Sequence, residues 1–348
     1  MRRPPFPTAW PGEGCAAHLA ETERARAQKA LLERPPGGWP RVGLCLIIRN
    51  AEEYLAEWAA HHRAFGVDRV IVFDDESEDD PRGILETHIA EGFVKVWDRS
   101  RPRITRTSGT IELQQNFYRE CLRAFLEEGE VSWVGLTDVD EFLTAKEWAP
   151  GDTLPSLLHQ QAPLPSAAAG GLGVGAAAKR GLGGGPLCVE VGRATYGASF
   201  RLQRPPGLAT EAYLLRTGKP YTSLTNKLPK ILVNLEYADR EKLGRFVGAI
   251  LIHNSMAHGM EKCAGWGKSP LRLNHYLGTA ASWALKVATH RTGTGKFLGG
   301  FQSFFPKDYE DEADGNALPY LCAAKREMAR ARGGRRPPGP PGVRPARA

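Results

Sequence analysis

The chain up to Leu143 alternates between short apolar runs and stretches with a helical hydrophobic period. The first run, VGLCLIIRN over Val42 to Asn50, is continuous, which is typical of a strand buried on both faces of a parallel sheet. The stretch after it repeats large or apolar side chains along one helix face, and the pair Asn50 and Glu53 predicts a capping box at its start. The repeating positions are Leu55, Trp58, Ala59, His62 and Phe65, and Gly66 is predicted to end the helix.

Three more strand patterns follow, and helical patterns separate them. The strands are DRVIVFDDES, FVKVWD and VSWVGLTDVDEFL, and the last two are preceded by GILETHIAEG and LQQNFYRECLRAFLEEG. Strand–helix–strand units with short connections are the repeating unit of a doubly wound α/β sheet. The chain therefore predicts an α/β fold whose first half is Rossmann-like and binds a nucleotide.

The second half of the chain has a different pattern. Residues 161–187 form an Ala/Gly low-complexity insert, predicted to be a flexible surface loop. The strands predicted after it are CVEVGRATYGASF, ILVNLEYA, GAILIHNS and RLNHY, which is more typical of an α+β half. We therefore expect a mixed central sheet.

These patterns predict one domain over residues 41–323. It comprises an N-terminal nucleotide-binding half at 41–150, the insert, and a second half at 188–323. Residues 1–40 are interpreted as a disordered or linker lead-in with one short helix across ETERARAQKALLE, and residues 324–348 as a basic disordered tail.

The net charge of +7 does not indicate a basic folded body. Residues 324–348 contain eight Lys or Arg and one Glu, so the other 323 residues are formally neutral. The tail can contact RNA or an acidic membrane, although a solvated end is the simpler interpretation. Nucleic-acid binding is therefore expected, if at all, only through the tail.

Six cysteines occur without CxxC spacing, which argues against a structural zinc site. Cys45 and Cys121 lie in apolar runs and are predicted to be small core residues, while the even count permits disulfides. No apolar run approaches 18 residues, and the start lacks the apolar region of a signal peptide. These features predict a cytoplasmic protein without a transmembrane segment, or a truncated N-terminus.

The segment GLTDVDEFL concentrates acidic residues directly after a predicted buried strand. Asp138, Asp140 and Glu141 repel one another unless a cation or hydrogen-bond donors hold them. On an extended segment, Asp138 and Asp140 point to one side and can share Mg²⁺ or Mn²⁺. A helix N-cap is the alternative for Asp138, but it leaves Asp140 unexplained.

An ordered series of motifs resembles the glycosyltransferases of family 92, which have the GT-A fold. The series begins with CLIIRNAEEYLAEWAAHHRAFGVDRVIVFDDESEDD, LQQNFYRECL and WVGLTDVDEFL. It continues with YGASFRLQRPPGLATEAYLLR, NKLPKILVN and RLNHY, so the resemblance spans roughly 42–320 without the insert. The resemblance implies a nucleotide-sugar donor, often a UDP-sugar, a divalent metal and inversion at the anomeric carbon.

The resemblance also implies roles for individual residues. Asp138 and Asp140 match the motif that binds the metal and the donor diphosphate, and His275 matches a further metal ligand. Glu211 matches an acidic residue that faces the acceptor, where a carboxylate base is needed to deprotonate the hydroxyl. The other positions matched to donor-binding loops are Arg49, Asn50, Glu52, Asp74, Asp75 and Gly197.

Structural alternatives exist for three of these residues. Glu211 also fits the start of a helix over EAYLLR, where an acidic side chain is favourable. His275 also fits a core histidine, and Arg49 also fits a simple ion pair with Asp74. His253 and His258 lack an HExxH pattern and are interpreted as structural.

The sequence departs from the family pattern at two places. LGTAASWALK follows NHY in place of the usual Lys-Ser pair and acidic helix, which puts the His275 contact in doubt. YGASF replaces a loop that often carries Ser-Gly-His, so the acceptor is expected to be handled differently. Animal members of the family carry an N-terminal membrane helix, so the resemblance implies the Golgi or another secretory membrane.

The function predicted from these features is the transfer of a hexose, with galactose as the leading example, from a nucleotide sugar to a glycan hydroxyl. Mn²⁺ or Mg²⁺ is the expected cofactor. One alternative is a degenerate transferase fold that binds a glycan or nucleotide without turnover. A second is a nucleic-acid-binding protein that acts through its Arg-rich tail, which the neutral body disfavours.

Overall fold

The computed structural model describes residues 14–35, 37–98, 110–161, 185–199, 201, 203–217, 229–250, 263–279, 281–282 and 312–333. Ten strands in these residues are joined in one sheet. The strands are β1 Val42–Ile48, β2 Arg69–Asp74, β3 Val94–Trp97, β4 Trp133–Thr137, β5 Glu141–Ala145, β6 Cys188–Tyr196, β7 Leu215–Arg216, β8 Lys230–Asn234, β9 Leu271–Tyr276 and β10 Glu312–Ala313. The helices are α1 Cys15–Glu33, α2 Glu52–Phe65, α3 Pro81–Ile84, α4 Glu86–Ala90, α5 Thr110–Glu128, α6 Leu154–Gln161, α7 Ala209–Ala212, α8 Arg240–Ala249 and α9 Leu318–Gly333.

The first four strands form a parallel block with the spatial order β3-β2-β1-β4. Their continuous apolar sequences are explained by burial on both faces of the sheet. Leu44 and Leu46 pack with α2 in one hydrophobic layer, whereas Cys45 packs with α5 in the other. Alternate side chains of β1 therefore supply the two sides of the core.

The second half adds antiparallel and mixed pairings to this block. β8 pairs antiparallel with β4 and β6, and β9 lies between β5 and β6. The α/β class and the mixed central sheet predicted from the sequence are thus confirmed. The GT-A fold expected from the sequence has this architecture, in which a parallel Rossmann-like half is joined to an α+β half.

The lead-in contains the predicted helix, whereas the tail contains a helix that the sequence analysis did not anticipate. α1 is longer than the predicted short helix, and α9 crosses the domain boundary placed at residue 323. Cys15 and Cys322 form a disulfide between the two helices, and His18 Nε2 lies 2.8 Å from the Pro319 carbonyl oxygen. The described parts of both segments are therefore packed against the domain.

Disulfides also connect the core of the domain. Cys45 and Cys121 are buried as predicted, but they are bonded to each other between β1 and α5. Cys188 and Cys263 form a further disulfide. The sequence permitted these pairings without identifying them, because only the fold brings residues from distant strands and helices together.

Several other expectations differ from the structure or lie outside its described part. Asn50 does not cap α2; its Oδ1 accepts a hydrogen bond from the Glu78 amide at 2.6 Å instead. The predicted strand GAILIHNS begins as the end of α8. His253, His258, residues 162–184 of the insert and residues 334–348 of the tail lie outside the described residues. Among the described helices, none has both the length and the apolar character needed to cross a membrane.

We predict that stability falls as the pH is lowered from 6.5 towards 4, because of His61. Its side chain is buried and donates from Nε2 to the Leu143 carbonyl oxygen at 2.7 Å. Burial lowers the pKa of His61 from 6.5 to about 4. The unfolded chain therefore binds more protons across this pH range, which costs about 3 kcal/mol of unfolding free energy.

The measurement is urea unfolding of the wild type and His61→Gln at pH 7 and pH 4.5. The glutamine amide retains a donor but does not titrate, so the variant should lose about 2–3 kcal/mol less than the wild type over this interval. Equal losses in the two proteins would assign the pH dependence to other groups.

Candidate active site

The carboxyl ends of the parallel strands meet at one edge of the sheet. Ile48 of β1 is paired with Asp74 of β2, and Leu46 of β1 is paired with Thr137 of β4. The acidic segment after β4 therefore lies at the same edge as the loops after β1 and β2. This is the edge at which open parallel sheets bind their ligands.

The acidic segment is a tight turn between β4 and β5. The Glu141 amide donates to the Asp138 carbonyl oxygen at 3.1 Å, and the Asp138 amide donates to Glu141 Oε2 at 2.9 Å. Asp138 therefore does not act as the N-cap of a helix, because a strand follows it. The second of these bonds fixes the Glu141 carboxylate relative to the backbone of the turn.

The Asp138 carboxylate is held by donors on two elements. Gln114 and Tyr118, one turn apart on α5, approach its Oδ1 at 2.7 and 3.3 Å. Lys230 Nζ, at the start of β8, lies 2.9 Å from its Oδ2. Burial and the neighbouring Asp140 raise the pKa of Asp138, but Lys230 outweighs them and lowers it to about 2. Asp138 is therefore ionised at neutral pH.

Glu141 is fully buried and has a cation of its own. Arg193 of β6 donates from Nη2 to Glu141 Oε1, and Lys230 Nζ lies 3.7 Å from Glu141 Oε2. Burial lowers the pKa of Arg193, but the attraction of Glu141, Asp138 and Asp140 raises it above its usual value. Two buried cations thus compensate the charge of this acidic segment.

Asp140 is brought next to His275 by strand pairing. β5 pairs antiparallel with β9, and Glu141 is opposite His275 in the register. His275 Nε2 lies 3.7 Å from Asp140 Oδ2, and Tyr276 donates its amide to the Asp140 carbonyl oxygen at 2.9 Å. His275 Nδ1 is buried without a hydrogen-bond partner among the described residues. The structure therefore places His275 beside Asp140, although the two residues are distant in the sequence.

The loops after β1 and β2 are bonded to each other. Arg49 Nη1 donates to the Asp75 carbonyl oxygen at 3.1 Å and lies 4.0 Å from Asp75 Oδ2. The ion pair considered for Arg49 thus involves Asp75, while Asp74 Oδ1 accepts from the Ser77 amide at 3.0 Å. Asn50 has a φ of 51°, a left-handed conformation that Asn tolerates better than most residues.

Three predicted site residues occupy other positions. Glu52 begins α2 and is exposed, with its amide bonded to Asp79 Oδ2 at 2.7 Å. Gly197 follows β6 and donates its amide to the Leu215 carbonyl oxygen at 3.0 Å. Glu211 lies in α7, where its Oε1 accepts from Lys325 Nζ of α9 at 3.0 Å. The helix predicted over EAYLLR is wrong, because α7 ends at Ala212 and Leu215–Arg216 form β7; Glu211 lies in the single turn of α7.

Glu57 is the carboxylate that organises α7. It is buried and accepts hydrogen bonds from the amides of Ala209 and Thr210 at 2.6 and 3.0 Å. These bonds satisfy two of the unpaired amides at the start of the helix. Burial raises the pKa of Glu57 above its usual value, and the same hydrogen bonds oppose that rise. Glu57 therefore positions the segment that carries Glu211.

The sequence analysis missed Lys230, Arg193, Gln114 and Tyr118. A usable signal was present: Lys230 is the one charged residue of the strand sequence KILVN, and Arg193 is the one basic residue of CVEVGRATY. Buried charges of this kind are almost always paired. Their partners, however, were visible only after the strands had been assembled.

The donor set partly fits a divalent cation. Asp140 and His275 present an oxygen and a nitrogen that can approach the same ion, and such ligands suit Mn²⁺. Asp138 differs from them, because its Oδ2 is paired with Lys230 Nζ at 2.9 Å. Within the described ranges, no cluster of three or more His, Cys, Asp or Glu side chains is already arranged around a metal position.

Comparison with known proteins links the first half of the chain to one family. Residues 41–153 match the profile of Glycosyltransferase family 92. A family 92 protein of Ricinus communis is 31% identical over 102 residues, covering 28% of this chain and 16% of the relative. A family 92 protein of Oryza sativa subsp. japonica is 32% identical over 101 residues, covering 29% and 15%. The chain thus spans about one sixth of the length of these curated relatives.

Solved structures of transferases give more distant matches. Staphylococcus aureus TarS 1–349 in complex with UDP-GlcNAc is 14% identical with a TM-score of 0.29, covering 56% of this chain and 45% of TarS. Glucosyl-3-phosphoglycerate synthase of Mycobacterium tuberculosis, in complex with Mn²⁺, UDP and phosphoglyceric acid, is 15% identical with a TM-score of 0.28, covering 68% and 62%. TM-scores this low do not assign roles to residues.

We predict that Arg193→Met destabilises the fold by about 3–5 kcal/mol, because it leaves the buried Glu141 carboxylate without its main partner. Arg193→Met combined with Glu141→Gln removes the unpaired charge and retains an acceptor for the Asp138 amide. Guanidinium unfolding should therefore find the double variant more stable than Arg193→Met. A double variant as unstable as the single one would show that packing, and not charge, accounts for the loss.

The matched segment contains the two loops at the ligand-binding edge and the acidic turn with Asp138 and Asp140. The family profile and the two curated relatives name the same family. Residues 41–153 of this chain are therefore similar to glycosyltransferase family 92.

Proposed function

We propose that the protein is a metal-dependent, inverting glycosyltransferase that moves a hexose, such as galactose, from a UDP-sugar to a glycan hydroxyl. The observation that carries the proposal is the acidic turn at the carboxyl edge of the parallel strands, which contains Asp138 and Asp140 and places Asp140 beside His275. The turn lies within the segment that matches family 92, which supports assigning it to donor binding.

In this proposal, Asp138, Asp140 and His275 hold Mn²⁺ or Mg²⁺. The ion would supply positive charge to the leaving diphosphate. Gln114 and Tyr118 orient the Asp138 carboxylate, and the pairing of β5 with β9 keeps His275 beside Asp140. These contacts thus hold the proposed metal ligands in place at the edge where the diphosphate would bind.

The nucleoside is assigned to the linked loops after β1 and β2. Arg49, Asn50 and Glu52 follow β1, and Asp74 and Asp75 follow β2. The carboxylates are suited to accept hydrogen bonds from ribose hydroxyls. Arg49 Nε is buried and has no hydrogen-bond partner among the described residues, so it is suited to donate to a bound ligand.

Glu211 is proposed as the base that removes the proton of the acceptor hydroxyl. Its side chain is 37% exposed, which leaves it accessible to an acceptor. Gly197 would contribute to the neighbouring loop. The three disulfides favour an oxidising compartment, so we assign the protein to the secretory pathway, with the Golgi as the expected site of glycan synthesis.

The first experiment tests the metal assignment with Asp140→Asn. The variant keeps the side-chain shape but removes the charge, so it should lose Mn²⁺-dependent UDP binding while keeping the wild-type melting temperature. Asp152→Asn is the matched control, since Asp152 is an equally buried carboxylate, at 6% exposure, paired with Lys29 instead. Calorimetry that finds unchanged UDP affinity in Asp140→Asn would refute the assignment.

The second experiment tests the base with Glu211→Gln. Loss of a general base should lower turnover by about 10²–10⁴-fold, with UDP-sugar affinity unchanged. Glu241→Gln is the control, because Glu241 also lies in the first turn of a helix and pairs with a basic residue. A purely helical role for Glu211 would instead cost about 0.3–1 kcal/mol of stability and leave turnover unchanged.

A donor screen with Mn²⁺ separates enzyme from binding protein. Hydrolysis of a sugar nucleotide without acceptor, read for a panel of donors, would identify the sugar that the site accepts. Tight donor binding without hydrolysis, and without transfer to any of a broad panel of glycans, would favour the degenerate binding protein.

A further inference from the structure

Lys230 is a buried cation placed at the proposed metal position. Its side chain is 1% exposed, and its ammonium lies 2.9 Å from Asp138 Oδ2. Asp138 is more open, with 31% of its side chain exposed. The ammonium therefore approaches the carboxylate from inside the protein, while the outer side of the carboxylate faces the ligand edge.

Glu141 does not need Lys230 to balance its charge. Arg193 already pairs with Glu141, and Lys230 is farther from Glu141, at 3.7 Å, than from Asp138. The nearest charge partner of Lys230 is thus Asp138. A divalent cation at Asp138 Oδ2 would meet the ammonium at close range, where two positive charges repel each other strongly.

Neutral donors occupy the other oxygen of Asp138. Gln114 and Tyr118 bind Oδ1 from a helix, so this oxygen is already oriented by uncharged groups. Oδ2 is the oxygen whose partner carries charge. An incoming cation therefore competes with Lys230 and not with the groups that orient the carboxylate.

We propose that Lys230 is an exchangeable counter-cation, which pairs with Asp138 in the free protein and with the phosphates of a nucleoside diphosphate in the bound state. This proposal rests on the proposed function, since it places the donor diphosphate beside Asp138. Lysine suits the exchange because its ammonium is a compact charge on a flexible four-carbon stem. After the exchange, Asp138 Oδ2 is available to the divalent cation, and the Lys230 ammonium is paired with the phosphates.

The charge balance of the site favours simultaneous binding. Asp138, Asp140 and Glu141 against Arg193 and Lys230 leave one net negative charge when His275 is neutral. A divalent cation alone would make the net charge of the site positive, and a diphosphate alone would make it more negative. A divalent cation together with the two negative charges of a nucleotide-sugar diphosphate restores the net charge of the free protein, and UDP, which carries a further partial negative charge, adds to it. Lys230 should therefore suppress metal binding until a nucleotide binds.

The test measures Mn²⁺ and UDP affinities in Lys230→Met and Lys230→Gln. Without nucleotide, both variants should bind Mn²⁺ at least about tenfold more tightly than the wild type does. Electron paramagnetic resonance of free Mn²⁺ measures this affinity. UDP affinity at saturating Mn²⁺ should fall by about tenfold, because the phosphates lose a cation. Lys95→Met, which breaks an exposed pair with Glu128, is the control and should change neither affinity.

Lys230→Gln retains a donor to Asp138 and keeps the test valid where Lys230→Met does not fold, as judged by circular dichroism. Unchanged or weaker Mn²⁺ binding in a folded variant would overturn the proposal. Tighter Mn²⁺ binding with unchanged UDP affinity would also overturn it, because Lys230 would then be a fixed partner of Asp138.

The proposed function fails with a different pattern. If the wild type and the Lys230 variants all bind UDP without any dependence on Mn²⁺, the metal assignment fails together with the exchange. If the wild type binds Mn²⁺ and UDP together but the Lys230 variants match it in both affinities, the exchange alone fails and the transferase proposal stands.

Discussion

Charge compensation at the end of β4 is the constraint on which the candidate site depends. Three carboxylates lie within four residues, and two of them are almost fully buried. The free energy required to bury an unpaired charge would exceed the stabilisation that local packing provides. Lys230 and Arg193, supplied by two strands from the second half of the chain, make this turn compatible with a folded protein.

This compensation explains why the two halves of the chain form one sheet at the site. β8 carries Lys230 and pairs with β4, and β6 carries Arg193 and pairs with β8. β9 pairs antiparallel with β5 and thereby places His275 beside the acidic turn. The acidic turn comes from the parallel half, whereas its counter-charges and its histidine come from the mixed half. The site therefore exists only when both halves are assembled.

Packing of the two terminal helices gives the site a second kind of support. α9 joins α1 through a disulfide, joins α2 through ion pairs such as Arg63–Glu327, and joins α7 through Lys325–Glu211. α2 in turn carries Glu57, which caps α7. The segment around Glu211 is thus held by α2 and α9, while the acidic turn is held by the sheet. α2 also contacts the acidic turn, because Trp58 Nε1 donates to the Glu141 carbonyl oxygen at 3.0 Å, so this helix supports both the proposed base and the proposed metal position.

The sequence by itself determined the parallel strands, α2, α5 and the position of the acidic turn, because hydrophobic periodicity and strand ends are local properties. It also identified Asp138, Asp140 and His275 as candidates. Only the tertiary structure decided that Lys230 and Arg193 neutralise the turn, that Arg49 pairs with Asp75, that Glu211 contacts α9, and which cysteines are bonded. Each of these contacts joins residues from different elements, and a pattern along the chain records which residues are buried but not which residues they meet.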